Sequence, residues 1–236
     1  MILYTNGDSH AAGAEAVNSY AFAEDDPRYW NLERRPHPDN LRVSWGPQLA
    51  ELLKMAFHTD AESASSNHRI LRTTREWLDR SNADPSQVFL IIQWSTWERE
   101  EWLIDGTYYQ VNASGIDEVP EGYQEQYKNW IANLDWDDKT REWHKVIRDF
   151  SEELTAQGYK HIFFNGNNSF VDIPVAERYN YGTEYMGPYL TEETYDGWLR
   201  NQGYDTVITS NYHFGPAAHS AWTKHLLRYI VEHKLL

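Results

Sequence analysis

Val88-Phe-Leu-Ile-Ile-Gln-Trp94 is a continuous run of seven residues, apolar but for Gln93 and rich in β-branched side chains, with polar residues on both sides. A strand without apolar–polar alternation is buried on both faces, which happens where helices cover both sides of a parallel sheet. Working outward, Ile2–Tyr4 and Lys160–Asn165 (KHIFFN) read as further short strands, and Asp205–Ser210 (DTVITS) as a last one. Helical periodicity fills the intervals. Ser44 caps a helix through SWGPQLAELLKMAF, with Leu49, Leu52, Leu53 and Phe57 on one stripe. A second helix begins after Ser66 or Asn67, with Ile70, Leu71, Thr74, Trp77 and Leu78 on one face. A third runs from about Lys139 to Gln157 and stops at Gly158, Thr191 caps a fourth through TEETYDGWLRNQG, and GPAAHSAWTKHLLRYIVEHKL closes the chain.

Strands and helices thus alternate with connections long enough for right-handed crossovers. The expectation is an α/β, three-layer sandwich around a mostly parallel sheet of about five strands. One domain over residues 1–236 is expected, with long loop insertions near 20–43, 98–136 and 165–190. These stretches are polar or aromatic and show no periodicity.

Composition narrows the partners. A formal net charge of -15 over 236 residues disfavours nucleic acid and anionic membrane surfaces, and the densest basic cluster is Arg34-Arg35. The chain has no cysteine, so disulfides, thiolate metal sites and a cysteine nucleophile are excluded. No apolar run reaches the roughly 20 residues of a membrane span. The N-terminus carries no basic segment followed by a cleavable apolar stretch, so a soluble, cytoplasmic protein is expected. Eleven Trp and 16 Tyr exceed what one compact core needs, so some of them are expected to line a groove.

Chemistry is sought at the carboxyl ends of the strands, where open parallel sheets bind ligands. Ser9 falls there, in the turn Asn6-Gly-Asp-Ser9 before a helix beginning at about Ala11. It is either a helix N-cap or a nucleophile facing the helix N-terminus. A serine nucleophile needs a base. Of ten histidines, His213 lies between the last expected strand and the last helix, on the same sheet edge. His219 and His225 do not share a helical face, so they are read as supports of the fold, and no metal site is expected.

Two blocks carry a resemblance. GDSHAAG (residues 7–13) and HFGPAAHSAW (213–222) resemble the first and last blocks of the SGNH (GDSL-type) hydrolase family. The resemblance implies the family's flavodoxin-like fold, with Ser9 as nucleophile beside the supporting Asp8 and His213 as base. It implies no cofactor, and oxyanion donors at Ser9 and at Ala64 or Ser65, where ESASSNHRIL (62–71) stands in place of the family's glycine block. The family's Asn block falls on IIQWSTWER (91–99), which has no Asn; Ser95, Thr96 or the nearby Asn67 are the substitutes. The family's acid falls on Ser210, so a Ser-His dyad is expected, with a main-chain carbonyl of the 209–212 turn orienting the histidine. The implied activity is hydrolysis of a small-molecule or carbohydrate ester, as an esterase or carbohydrate O-deacetylase. The alternatives are a catalytically inactive SGNH-fold binding protein for a glycan or protein, and an acyltransferase.

Overall fold

A computed structural model describes residues 1–113, 115, 119–208 and 211–236. The run Val88–Trp94 is strand β3, and every one of its residues is buried. It pairs in parallel with β1 (Ile2–Asn6) on one side and β6 (Lys160–Asn165) on the other. With β2 (Ala56–Thr59) beyond β1, the described sheet has four parallel strands in the order β2-β1-β3-β6.

Alternate side chains of these strands feed two cores, as the two-residue period of a strand requires. Leu3, Phe89, Ile91, Ile162 and Phe164 pack on one face against Trp45 and Leu49 of α3 (Trp45–Leu53), Leu199 of α7 (Tyr195–Asn201) and Trp222 of α8 (Pro216–His233). Tyr4, Leu90, Ile92 and Phe163 pack on the other. Their partners are Ile70, Trp77 and Leu78 of α4 (Asn67–Ser81), and Trp143, Ile147 and Phe150 of α6 (Trp136–Ala156). The architecture is α/β, with helices on both sides of the sheet.

Three expectations are corrected. The fifth strand is absent among the described residues: Thr206 makes a single bridge to Phe214, and Val207 and Ile208 are exposed. Beside β6 the chain instead lays Glu184–Met186, where Phe163 N–H donates to Glu184 O at 2.7 Å and Met186 N–H to Phe163 O at 2.9 Å. The third insertion therefore occupies the edge at which a fifth strand would have paired. Second, the apolar stripe from Leu49 to Phe57 is not one helix. Lys54 takes the left-handed conformation (φ 55°) and ends α3, Phe57 belongs to β2, and Leu52 faces solvent. Third, the helix after Ser9 is a single turn, α1 (Ser9–Ala12), ended by Gly13 at φ 67°. A side chain at Gly13 would meet Asn40 O at 2.7 Å, so the close approach as well as the dihedral requires glycine there.

The insertions are more ordered than their sequences suggest. Residues 20–43 contain α2 (Pro38–Val43), whose buried Asn40 accepts from Val17 and Asn18 N–H and donates to Asn18 and Tyr20 carbonyls. Residues 98–136 carry an antiparallel hairpin, β4 (Glu100–Ile104) with β5 (Thr107–Val111), and α5 (Gln124–Ala132). The α7 cap is Thr194, whose hydroxyl accepts from Gly197 N–H, while Thr191 opens a short 3₁₀ turn ahead of it.

Candidate active site

At the carboxyl end of β1 the turn Gly7-Asp8-Ser9 is pressed against β3. A Cβ on Gly7 would lie 2.8 Å from Ala11 Cβ and 3.0 Å from Gln93 Cβ, so only glycine fits this corner. The cap of α1 is Asp8, whose carboxylate accepts from His10 N–H at 3.0 Å. Ser9 is therefore not the cap of α1. Among the described residues Ser9 Oγ has no hydrogen-bond partner, although Ser9 as a whole is only 6% exposed.

Asp8 is the hub of this corner. Its buried carboxylate accepts from Gln93 Nε2 at 2.7 Å and Ser95 Oγ at 2.9 Å, and lies 3.4 Å from Arg99 Nη1. Burial alone would raise its pKa, but the charges of His10 and Arg99 and the hydrogen bonds from Gln93 and the His10 amide outweigh burial and hold it below the ordinary value. Asp8→Asn replaces a carboxylate that accepts from several donors with an amide that brings two donors of its own. A loss of about 2 kcal/mol at pH 7 is expected in urea unfolding. A carboxyl whose folded pKa is depressed contributes stability that is fully present above its unfolded pKa and is lost as pH falls through the folded value. The gap between wild type and Asp8→Asn should therefore narrow in acid, below the ordinary carboxylate range. A constant gap across that range would show that the Asp8 charge is not what holds the corner.

Arg99 joins the neighbouring segments to the hub. Its Nη1 reaches Asp8, Ser65 O at 3.4 Å and Ser95 Oγ at 3.0 Å, so the ends of β1 and β3 and the loop after β2 meet around one guanidinium. Several sequence candidates have other tasks here. Ser65 N–H donates to Glu62 O. Asn67 accepts from Ser95 N–H at 2.7 Å and donates to Ser95 O at 3.2 Å, while the Ser95 hydroxyl goes to Asp8 and the Thr96 hydroxyl to Glu98. These contacts brace the corner. Ala64 differs: it adopts φ 65°, and its N–H makes no hydrogen bond among the described residues. The backbone keeps here the left-handed geometry that favours glycine, with alanine in its place.

His213 closes the arrangement from the segment before α8. Its Nδ1 lies 2.9 Å from Glu15 Oε2, and its ring centre is 5.8 Å from that of His10, edge to face. Glu15 sits six residues after Ser9 and is itself left-handed (φ 60°), a conformation that costs a non-glycine residue energy. Ala14 N–H donates to Ser9 O, and Asn211 clamps the pair by donating its amide to Glu15 Oε2 and accepting from His213 N–H at 3.2 Å. The expected main-chain orienting group is thus replaced by a carboxylate, and Ser210 lies outside the described residues. Sequence reading missed Glu15 because it sought the acid beside the histidine. The available signal was a carboxylate in the turn after Ser9.

His10 and His219, which flank the site, are buried and neutral near pH 7. Burial lowers the pKa of His10, helped by His213 against the opposing pull of Asp8, and burial with His10 and His213 pushes His219 down to about 3. A neutral His10 donates Nε2–H to Asn167 Oδ1 at 3.1 Å, which fixes the Asn167 amide just past the end of β6. His219 bonds Tyr195 Oη at 3.1 Å, in keeping with a support of the fold. No direct hydrogen bond joins Ser9 Oγ to His213.

Two solved structures resemble the chain at 13% sequence identity and a TM-score of 0.43, each over 97% of its residues. One is an acetyl xylan esterase, Est2A, from the rumen bacterium Butyrivibrio proteoclasticus, of which 63% is covered. The other is a carbohydrate esterase whose active site displays divergent catalytic and non-catalytic binding functions, of which 67% is covered. The chain thus spans less than two thirds of the length of the acetyl xylan esterase. No curated protein matches the sequence. Residues 31–165 match a family model that takes in α2 to β6 but stops short of Ser9, Glu15 and His213, and by that match the chain belongs to DUF6071, a family of unknown function.

Proposed function

We propose that the protein is a serine hydrolase of ester bonds, in which Ser9 is the nucleophile, His213 the base and Glu15 the group that positions the base. The observation that carries this reading is the 2.9 Å contact between Glu15 Oε2 and His213 Nδ1. With Nδ1–H donated to the carboxylate, the imidazole lone pair is on Nε2, the nitrogen a general base uses. Ser9 Oγ attacks the ester carbonyl carbon while its proton passes to Nε2. The oxyanion is met by the N–H groups of Ser9 and Ala64, and we assign the Asn167 amide as a further donor. The intermediate collapses, the proton goes to the departing alcohol, and an acyl-serine remains. Water then attacks this ester with the same base, releasing the carboxylic acid and restoring Ser9. The acyltransferase alternative differs only in that a second alcohol takes the place of this water.

One observation favours a second reading, a binding protein without turnover: no hydrogen bond joins Ser9 Oγ to His213 in the structure. Catalytic hydrogen bonds often tighten only in the substrate complex, so reactivity is the better criterion. A fluorophosphonate decides between the readings, since an activated serine displaces its fluoride and gains the phosphonyl mass. Labelling is expected on the peptide carrying Ser9 and on no peptide of Ser9→Ala. An unlabelled wild type, or a label elsewhere on the chain, would leave the binding reading.

A further inference from the structure

A second feature opens beside Ala64. A cavity of about 810 Å³ lies between the loop after β2, α4 and the β4–β5 hairpin, and Ser63 and Ala64 form part of its wall. A neighbouring cavity of about 570 Å³ shares Arg34 and Arg69 with it. Together they gather Arg34, Arg35, Arg69, Arg72 and Arg80 against three carboxylates, Asp60, Glu62 and Glu101. That is an excess of two positive charges in the lining, or one when Glu76, which also holds Arg72 at 3.0 Å, is counted, on a chain whose net charge is -15. The sequence showed only Arg34-Arg35; the fold brings α4 and the first insertion together to make the patch.

Most of this charge is used to build the walls. Glu62 bridges Arg34 at 2.9 Å and Arg69 at 2.6 Å, and Glu101 holds Arg72 through both of its carboxylate oxygens. Among the arginines of the larger cavity, Arg34 is the exception. It spends only Nε on Glu62, its guanidinium lies 4.1 Å from the centre of the Phe22 ring, and its side chain is 50% exposed. Among the described residues its two terminal nitrogens have no partner. Across the same cavity Tyr108 is 46% exposed, with the Arg72 guanidinium 3.9 Å from its ring centre. Arg72 is itself pinned by Glu101, so the tyrosine is fixed from one side.

We infer that this cavity binds a saccharide unit bearing a carboxylate. The flat C–H face of a pyranose ring fits an exposed, fixed aromatic ring, and a sugar carboxylate fits the two free Nη groups of Arg34, whose planar fork matches it bidentately. A local positive potential inside a strongly acidic protein selects for an anion at that point and against a neutral ring. The inference rests on the proposed hydrolase only in making this unit the alcohol side of the ester; binding itself requires no turnover.

Calorimetry of the 236-residue chain with trigalacturonate tests it directly. Binding is expected, weakening with added salt and falling at least about tenfold in Arg34→Gln, the loss of one bidentate charged pair. Tyr108→Ala, at an exposed position that should leave folding intact, should produce a similar loss and carries the test if Arg34→Gln does not fold. Lys224→Gln, an equal change of charge on α8, should bind like wild type. Equal affinity for a neutral xylo-oligosaccharide, no binding of either sugar, or binding of inorganic phosphate in place of the uronate would each overturn the assignment. Fluorophosphonate labelling at Ser9 is measured separately, so this site can fail while the hydrolase stands, and the reverse.

Discussion

Ser9→Ala is expected to lower kcat/KM for a short-chain aryl acetate by about 10⁴-fold, and His213→Ala by a similar factor. The size follows from what each group supplies. Without Oγ there is no acyl-serine, and without the imidazole nothing removes the proton as the carbon–oxygen bond forms. What remains is the oxyanion site and substrate binding, which still act on a water molecule. Groups that work as one unit give losses that do not add, so the double variant should be hardly worse than either single one. Additive losses would mean that Ser9 and His213 act separately. Ser9 is a small buried residue outside the two cores and His213 is half-buried and outside them as well, so thermal unfolding of the single variants should stay close to wild type. If Ser9→Ala retains wild-type turnover, the serine reading fails at its centre.

Legibility of the fold in the sequence differed from element to element for physical reasons. Val88–Trp94 was readable because burial on both faces leaves a continuous run, apolar but for Gln93, and α4 because one stripe from Ile70 to Leu78 meets the sheet. Strand β2 was hidden. Leu49, Leu53 and Phe57 keep helical spacing across the break, and the break falls at Lys54, a left-handed residue with no glycine or proline to announce it. The segment 205–208 has strand-like composition, but pairing is a property of neighbours, and Glu184–Met186 holds the available edge. At the candidate site, the place of Ser9 after β1 and of His213 before α8 was legible from their blocks. Glu15 was not, because its contact with His213 spans 198 positions and depends on how a one-residue excursion to φ 60° aims the carboxylate. The arginine-lined cavity was illegible for a similar reason: Arg34 of the first insertion and the α4 pair Arg69 and Arg72 are far apart in the chain, and no local window contains them together.

Glu15→Gln should lower kcat/KM at neutral pH by about 10²- to 10⁴-fold while leaving the melting temperature nearly unchanged. Glutamine has almost the same shape, so the loss isolates charge and proton donation from packing. The carboxylate accepts only, and so requires the proton on His213 Nδ1 and the lone pair on Nε2. An amide can donate to Nδ1 instead, which stabilises the tautomer with its proton on Nε2 and its lone pair facing away from the reaction. The carboxylate also stabilises the imidazolium that forms as Ser9 attacks, an interaction absent from the ground state. The fall should therefore appear in kcat with little change in KM. Glu15→Asp keeps the charge on a shorter arm and should recover part of the activity. A residue that merely held the loop would change stability without a selective fall in kcat. If Glu15→Gln keeps activity within about threefold, the 2.9 Å contact is structural and His213 is oriented by something else.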